Sequence, residues 1–335
     1  MLGATVPMLR ALARRSERLT VLALAEGRHD LPPNVEVRTF GAPSRVGRTA
    51  RLLRELATVL VRRPDAVVAH MGAVYAIAAA PLALPLRVPV LLWWTHWSVT
   101  RSLKVAMALT SRVLSVDATS FPLASPKLRT LGHGVDVEAF APVPARPDGG
   151  TLELLLLGRF ARTKGIDVVL DGFEAAVREG LEARLELRGP AATAAEEAYR
   201  SSISRRIAEG PLAGRVRIEP PLPWSRVPSV LTRFDALVNA HAGTLDKVVY
   251  EAAAATLPVI VCSPGFDELL RDLPVEGRFR CGDADDLKRR LLEFSRSSTE
   301  ARRAAGVELR KRVVAAHSTE TWADGIAACV GELRA

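Results

Sequence analysis

Cysteine is scarce in this sequence, and its three positions, Cys262, Cys281 and Cys329, are odd in number and far apart. They provide neither a disulfide framework nor the paired spacing of a cysteine zinc site. Their scarcity indicates a reducing compartment, which we expect to be the cytosol. Aromatic residues are also few, and none interrupts the densest basic segment, so nucleic acid is not an expected partner.

Long hydrophobic runs are absent as well. The longest uncharged stretch, residues 72–86, is shorter than a bilayer requires and contains Pro81 and Pro85. We expect it to form a buried helix followed by a loop. The N-terminus, MLGATVPMLRALARRSERL, is typical of a basic amphipathic helix without the apolar core of a cleavable signal peptide, so we expect the protein to stay inside the cell.

The Gly-x-Gly-x-x-Gly fingerprint of dinucleotide-binding enzymes follows none of the predicted strands. Its absence disfavours a nicotinamide-dependent oxidoreductase. What the sequence does have is an apolar fraction of 48%, enough to bury the cores of a folded protein, and a length of 335 residues, which suits two domains.

Apolar strands alternate with helices along the whole chain, which predicts an α/β protein with parallel sheets covered by helices on both faces. The predicted strands begin at Leu19, Val35, Asp65, Val88 and Arg112 in the first half and at Leu152, Ala183, Val216, Asp235 and Pro258 in the second. The pattern predicts two Rossmann-like doubly wound domains at 1–136 and 151–317. A Pro- and Gly-rich linker at 137–150 joins them, and a C-terminal helix at 318–335 begins with a cap-like Ser318.

One expected element has no counterpart in the sequence. The first predicted helix, at residues 8–15, is not preceded by a strand, although a doubly wound domain normally places its first strand at the sheet centre. We therefore expect the first strand of the N-terminal domain to be missing, and the reading frame to continue upstream of Met1 with a short apolar strand.

Positive charge is concentrated in the N-terminal half. Residues 1–136 carry 18 Lys and Arg against 8 Asp and Glu, whereas residues 137–335 carry 28 against 29. The densest segment, 44–63, predicts a helix with an apolar face and surrounding arginines. The simpler interpretation is a core-packing helix with a solvated face; the alternative is a helix that also docks on anionic lipid. The apolar face comprises Leu52, Leu56, Val59 and Leu60, and the arginines are Arg48, Arg51, Arg54 and Arg62.

Two cations follow the first strand of the second half, in LLLLGRFARTKG. The strand ends at Gly158, Arg159 comes directly after it, and Lys164 precedes the next helix. Crevices at the carboxyl ends of parallel strands are where such sheets bind ligands. The planar fork of an arginine and the point charge of a lysine together suit a diphosphate.

A second candidate region is LVNAHAGTLDKVVYEAAAATLPVIV, residues 237–261, which predicts strand, loop, helix and strand. Gly243, Thr244 and Leu245 precede the helix, whose first backbone N–H groups offer a further cradle for phosphate. Glu251 is a single acid on an Ala-rich helix and can accept hydrogen bonds from two vicinal hydroxyls.

These segments resemble the GT-B family of retaining glycosyltransferases that use nucleotide-sugar donors, of the group 1, family 4 type. The resemblance rests on THWSV, GHGVDVEAF, LGRFARTKG and DKVVYEAAAATLPVIV in that order, and covers nearly the whole chain. It implies two Rossmann-like domains that face each other across a cleft, with the acceptor on the N-terminal one. It also implies that Arg159 and Lys164 bind the donor diphosphate, that Glu251 holds the ribose hydroxyls and that His96 faces the donor sugar.

The sequence departs from that family at one position. The family often has a second Glu eight residues before the ribose-binding one, and here that position is Gly243. A double displacement through that residue is then not available, which favours front-face transfer assisted by the leaving group. Asp246 could partly replace the missing carboxylate, but on the first turn of a helix it could equally be a cap.

Other polar residues have simpler explanations. Asp283 and Asp285 in GDADDL precede a helix whose dipole they complement, so we expect capping and no catalytic metal. His133, in the loop that joins the domains, is a better cleft candidate than His70 at the end of a strand. The remaining aromatic candidates are Trp93 and Trp94, expected in the core, and Trp97, which could meet the acceptor.

The sequence thus predicts a hexosyltransferase that moves sugar from a UDP-, GDP- or ADP-sugar to a glycan or lipid-linked acceptor, without a cofactor, at the inner face of the membrane. A non-catalytic nucleotide-sugar-binding relative of the same fold is the main alternative, and a different double-Rossmann enzyme is a second one. The fold alone cannot decide between the enzyme and its non-catalytic relative.

Overall fold

A computed structural model describes residues 5–144, 150–243 and 245–334 of the protein. The chain divides into two compact units. The C-terminal unit is Val135–Ala315, and the N-terminal unit combines the residues up to Gly134 with those from Ala316 onward.

The N-terminal unit contains two parallel sheets in its described residues. Strands β1 and β2 form a two-stranded sheet, and β3, β4, β5 and β6 form a four-stranded sheet in that order. The five strands predicted in this half are all present. The sixth, β6, was not predicted, because only one of its three residues, Leu128, is apolar, so it shows no apolar run. The elements are α1 (Thr5–Ala13), β1 (Leu19–Ala23), β2 (Val35–Thr39), α2 (Arg45–Leu60), β3 (Val67–His70), α3 (Ala73–Ala83), β4 (Val90–Trp93), α4 (Arg101–Leu109), β5 (Arg112–Ser115) and β6 (Leu128–Thr130). A further strand upstream of α1 stays a prediction.

The uncharged stretch 72–86 forms the buried helix that was expected. Helix α3 turns a row of alanines into the core: Ala76, Ala79, Ala80 and Ala83. Among the described residues, no helix is long and apolar enough to cross a membrane.

The end of the chain returns to the N-terminal unit. Helix α12 (Thr319–Arg334) begins where Ser318 accepts a hydrogen bond from the backbone N–H of Thr321 at 3.0 Å, as a cap does. Trp322 on this helix packs edge-to-face on Trp93, with ring centroids 5.8 Å apart. The core positions predicted for Trp93 and Trp94 are confirmed, since both are buried.

The C-terminal unit is built on one parallel sheet with the strand order β11-β10-β7-β8-β9. Its five strands are the five that the sequence predicts. The elements are β7 (Leu152–Leu157), α5 (Ile166–Arg178), β8 (Ala183–Arg188), α6 (Ala194–Glu209), β9 (Val216–Glu219), α7 (Val227–Leu231), β10 (Ala236–Asn239), α8 (Lys247–Ala254), β11 (Val259–Val261), α9 (Asp267–Leu270), α10 (Ala284–Arg296) and α11 (Thr299–His317), whose last residues belong to the N-terminal unit.

The two faces of this sheet differ in polarity. One face packs against α5, α6 and α10 through buried apolar side chains such as Leu154 and Leu185. On β8 and β9 the other face is charged. Glu186 is fully buried there, and its carboxylate accepts hydrogen bonds from Arg188 and, at 3.0 Å, from Arg217. A buried carboxylate persists only when such partners compensate its lost hydration.

Candidate functional site

The candidate site lies at the carboxyl ends of β7 and β10, which are neighbours in the C-terminal sheet. After β7 the chain passes through Gly158 and Arg159 into a short 3₁₀ turn, Arg162–Lys164, and enters α5 at Gly165. Gly165 has φ +63°, and a Cβ there would lie 2.6 Å from the carbonyl oxygen of Ala240. Glycine is therefore required, because it tolerates this φ and has no Cβ that would keep the turn away from the end of β10.

A second close approach fixes the loop after β7. Gly189 follows β8, has φ +156°, and a Cβ on it would lie 1.8 Å from the carbonyl oxygen of Gly158. The backbone of the predicted phosphate-binding loop therefore packs directly on the backbone after β8. Any side chain at 189 would push Gly158 and Arg159 out of place.

Lys164, in the loop after β7, forms an ion pair with Asp246, in the loop before α8. The lysine Nζ contacts both carboxylate oxygens and lies 2.7 Å from Oδ2, and only 15% and 17% of the two side chains are exposed. Asn239 at the end of β10 donates to the same Oδ2 at 2.9 Å. Asp246 stands at the first position before α8, but its side chain makes no capping hydrogen bond, so the helix-cap interpretation of this carboxylate is wrong.

Arg159 also has a carboxylate partner. Half of its side chain is exposed, and Nη1 lies 3.1 Å from Oε1 of Glu196 in the first turn of α6. The other oxygen of Glu196 accepts from the backbone N–H of Ala192. Both cations predicted to bind a diphosphate are thus paired with acids in this structure, so an incoming anion must share them or displace those acids.

Glu251 is buried on the inner side of α8 and is only 6% exposed. Its Oε1 accepts a hydrogen bond from Nε1 of Trp224 at 2.8 Å, and Trp224 packs edge-to-face on Phe140. Burial raises the pKa of Glu251, while the charge of Lys247 and the hydrogen bond from Trp224 act in the opposite direction. Burial in turn lowers the pKa of Lys247. One of the two carboxylate oxygens of Glu251 is therefore already hydrogen-bonded to the indole of Trp224.

Sequence reasoning missed His241, Asn239 and Trp224. The ring of His241 lies over Gly243: a Cβ on Gly243 would come within 2.8 Å of its Cε1. Its Nδ1 lies 2.6 Å from the carbonyl oxygen of Thr163, in the turn that carries Lys164. A lone histidine two residues after a strand has no distinctive sequence signal. These contacts become visible only in the folded structure, where separate parts of the chain meet at the same sheet edge.

The remaining members of this loop are close by. Leu245 is buried, and the hydroxyl of Ser263, which follows β11, donates to the carbonyl oxygen of Gly243 at 3.3 Å. Thr244, predicted as part of the phosphate cradle, lies outside the described residues. The structure thus brings Gly158, Lys164, Gly243 and Asp246 together at one sheet edge.

The histidine candidates of the N-terminal unit lie after its strands. His96 is exposed three residues beyond β4, where its carbonyl accepts from Nε1 of Trp94 at 2.8 Å and the two rings meet edge-to-face. His133 is half-buried in the loop after β6. His70 at the end of β3 stacks on Trp93, and Trp97 has 52% of its surface exposed.

The acidic pair near residue 285 has the structural role that was expected. Asp283 precedes α10, and its carboxylate accepts from the backbone N–H of Asp286 at 2.9 Å, which confirms capping. Within residues 5–144, 150–243 and 245–334, no group of three His, Cys, Asp or Glu side chains has the geometry of a metal site.

The geometry of the C-terminal unit is suited to an anion with a polar tail. It offers two paired cations, the starts of α5 and α8 with their backbone N–H groups, and a buried acid one helical turn further along α8. A nucleoside diphosphate has the phosphates and vicinal hydroxyls that such groups bind.

Comparison with known proteins agrees with this geometry. Residues 151–296, which carry the whole candidate site, match the family model described as glycosyl transferases group 1. A curated relative is the GDP-mannose:cellobiosyl-diphosphopolyprenol alpha-mannosyltransferase of Xanthomonas campestris, 24% identical over 248 residues. That alignment covers 72% of this chain and 64% of the relative, so the chain spans less than two-thirds of the relative's length.

Solved structures match over almost the entire chain. Anabaena Alr3699/HepE in complex with UDP and glucose has a TM-score of 0.78 at 16% identity and covers 98% of this chain and 96% of its own. A glycosyltransferase from Rickettsia africae has a TM-score of 0.78 at 12% identity, with 100% and 96% coverage. Sucrose-phosphate synthase from Thermosynechococcus elongatus has 0.77 at 15% identity, with 98% and 92% coverage. The protein therefore has the GT-B fold.

Proposed function

We propose that the protein is a glycosyltransferase that moves a hexose from a nucleotide-diphosphate-sugar donor to a glycan or lipid-linked acceptor with retention of configuration. The observation that carries the proposal is the convergence of Gly158, Lys164, Gly243 and Asp246 at one sheet edge of the unit that matches the glycosyltransferase family model. The donor is a substrate, and the proposal needs no cofactor.

The proposed chemistry depends on the leaving group. Transfer develops positive charge on the sugar ring and negative charge on the departing diphosphate, so cations placed at the diphosphate lower the barrier. Arg159 and Lys164 have this role in the proposal, and the backbone N–H groups at the start of α8 add to it. Glu251 accepts hydrogen bonds from the ribose hydroxyls through the oxygen that Trp224 does not use.

The carboxylate partners of the two cations add a step to donor binding. Lys164 has three N–H donors and directs two contacts at Asp246, so a phosphate oxygen can take the third or replace one of them. Asp246 thereby holds Lys164 at the edge of the sheet before the donor arrives. Glu196 does the same for the more exposed Arg159.

Retention is proposed to proceed by front-face transfer. Gly243 has no side chain, and the carboxylate of Asp246 is occupied by Lys164 and Asn239, so neither supplies a nucleophile to the sugar carbon. The leaving diphosphate is then the base available to the incoming acceptor hydroxyl. Hydrolysis of donor in place of transfer gives a direct test, since proton NMR before mutarotation should show the sugar released in the anomeric form of the donor.

The acceptor is proposed to bind the N-terminal unit, with His96 toward the sugar and His133 and Trp97 as further candidates. Lipid-linked acceptors are supported by the similarity to an enzyme named for a diphosphopolyprenol substrate. A peripheral contact of residues 44–63 with the inner face of an anionic membrane fits this acceptor. On α2, Leu52, Leu56 and Leu60 are buried, while arginines face solvent. Two valines are also exposed, Val46 on the helix and Val61 directly after it.

Vesicle flotation tests this contact. Arg51→Glu with Arg54→Glu should lower binding to vesicles that contain phosphatidylglycerol and leave the negligible binding to pure phosphatidylcholine unchanged. Arg178→Glu with Arg271→Glu makes the same charge change at two exposed arginines of the C-terminal unit and should have no effect. Equal binding of all variants would leave α2 with a solvated face and no lipid contact.

The main alternative is a nucleotide-sugar-binding protein without activity, which the glycine at 243 favours. Thermal shift and donor hydrolysis, measured with UDP-, GDP- and ADP-sugars, separate the two. Stabilisation by one nucleotide together with slow hydrolysis supports the enzyme, and stabilisation without any turnover supports the alternative. No shift with any nucleotide would overturn both.

The donor site itself has a matched control. Arg159→Ala should weaken binding of the preferred nucleoside diphosphate by roughly tenfold or more, because it removes a charge-assisted hydrogen bond to the ligand. Arg184 is similarly exposed and also pairs with a glutamate, but it lies near the opposite end of its strand. Arg184→Ala should leave the affinity within about twofold of the original value.

A further inference from the structure

The space above Gly243 is filled by a side chain from within the same loop. A Cβ placed on Gly243 would lie 2.8 Å from Cε1 and 2.9 Å from Nε2 of His241. These distances are shorter than real carbon contacts, so the imidazole edge stands where a side chain at 243 would begin. The position of the His241 ring therefore depends on the glycine at 243, because the side chain of a glutamate there would overlap the ring.

The ring of His241 is held from its other side. Nδ1 lies 2.6 Å from the carbonyl oxygen of Thr163, which can only accept, so Nδ1 carries the hydrogen. The backbone N–H of His241 donates to Oδ1 of Asn239 at 3.2 Å. In the neutral imidazole this assignment makes Nε2 the acceptor, and Nε2 belongs to the edge that lies over Gly243.

We propose that Nε2 of His241 accepts a hydrogen bond from a hydroxyl of the donor's sugar ring, and that His241 is a specificity-determining residue for that sugar. The inference rests on the proposed function, because only a bound nucleotide-sugar presents such a hydroxyl. A carboxylate in this place would accept the same hydrogen bond. The neutral imidazole does so without placing a negative charge beside the proposed diphosphate site. That site already has one carboxylate close by, because Asp246 is paired with Lys164.

The position in the fold supports this assignment. His241 follows the end of β10 by two residues, and β10 pairs with β7, whose end leads to Gly158 and Arg159. Thr163 belongs to the same 3₁₀ turn as Lys164. The ring therefore lies between the loop proposed to bind the diphosphate and the loop that carries Gly243.

A purely structural role is the competing explanation, since His241 also joins two loops. Calorimetric titration separates the two roles when each variant is measured with a nucleoside diphosphate and with its sugar conjugate, using UDP with UDP-glucose and GDP with GDP-mannose. His241→Ala should weaken binding of the conjugate by about fivefold, the usual loss for one neutral hydrogen bond, and leave the diphosphate within about twofold. An equal loss for both ligands, or no loss for either, would overturn the proposal.

A second variant tests the same ring with the histidine still present. Gly243→Ala pushes the imidazole aside and should reproduce the selective loss, while adding it to His241→Ala should change nothing further. Gly150→Ala, where a Cβ meets nothing within 4 Å, is the control for a glycine substitution and should behave as wild type. A wild-type protein that binds no nucleoside diphosphate at all would overturn the proposed function, and this inference with it.

Discussion

Lys164 and Asp246 form an ion pair at the carboxyl edge of the C-terminal sheet, with Nζ 2.7 Å from Oδ2 and in contact with the second oxygen. The two residues are 82 positions apart in the sequence. The pair couples the loop after β7 to the start of α8. Its consequence is that the proposed diphosphate site is preformed but electrically neutralised before the donor binds.

The first prediction concerns that neutralisation. Asp246→Asn removes the acid that competes with phosphate for Lys164, so the affinity for the preferred nucleoside diphosphate should rise by roughly fivefold. Lys164→Met should lower it by roughly tenfold or more. Calorimetric titration measures both. A fall in affinity for Asp246→Asn would mean that holding the lysine in place outweighs the competition between the acid and the ligand.

The second prediction concerns the buried acid on α8. Because burial raises the pKa of Glu251, its charged form is disfavoured in the folded protein. Glu251→Gln removes this cost and keeps an acceptor for Trp224, so thermal stability at pH 7 should be unchanged or higher. Affinity for the nucleotide should nevertheless fall by roughly tenfold, because the single amide oxygen stays with Trp224 and the amide nitrogen cannot accept from the ribose hydroxyls.

Trp224→Phe is the control for this second prediction. It removes the hydrogen bond to Glu251 and keeps most of the aromatic packing on Phe140. Thermal stability should then fall by about 1 kcal/mol. If Glu251→Gln destabilises the protein more than Trp224→Phe does, the acid has a structural role that exceeds its proposed contact with ribose.

The third prediction concerns pH. Burial lowers the pKa of His317 from 6.5 to about 4, with Asp117 opposing the shift. The unfolded chain therefore binds more protons between these values, so stability is fully present above pH 6.5 and is lost as the pH falls toward 4. The N-terminal unit should be about 2 kcal/mol less stable at pH 5 than at pH 7 because of this group.

Urea unfolding followed by tryptophan fluorescence measures this effect, since Trp93, Trp94, Trp97 and Trp322 all belong to the N-terminal unit. In His317→Gln the difference between pH 7 and pH 5 should shrink by about the same 2 kcal/mol. An unchanged difference would show that His317 titrates alike in both states.

The fourth prediction concerns the backbone contact behind the site. Gly189→Ala places a Cβ 1.8 Å from the carbonyl oxygen of Gly158, so the C-terminal unit should lose at least about 2 kcal/mol of stability. Gly180→Ala is the matched control: its φ is +93°, but a Cβ meets nothing within 4 Å. It should cost only about 1 kcal/mol, the strain of the backbone itself. Calorimetric unfolding compares the two, and equal losses would mean that the contact with Gly158 relaxes freely.

Local pattern was sufficient for most of the secondary structure. All ten predicted strands are present, because buried parallel strands are short apolar runs that turns and helices interrupt. The strand β6 was missed because two of its three residues are polar. The charged face of β8 and β9 was visible in the alternation of ARLELR and VRIE, but its meaning depended on arginines from neighbouring strands and loops, such as Arg217 and Arg233.

The sequence by itself determined the parallel α/β architecture and the glycines at the strand ends, and it singled out Arg159, Lys164 and Glu251 as candidates for a phosphate-and-hydroxyl site. These depend on spacing within one strand, turn and helix, which local chemistry controls. Only the tertiary structure decided that Lys164 is paired with Asp246, that Trp224 holds Glu251, and that His241 fills the space over Gly243. The physical reason is that hydrogen bonds and steric exclusion act over a few ångströms, and the sheet brings together side chains that the sequence keeps far apart or does not distinguish from their neighbours.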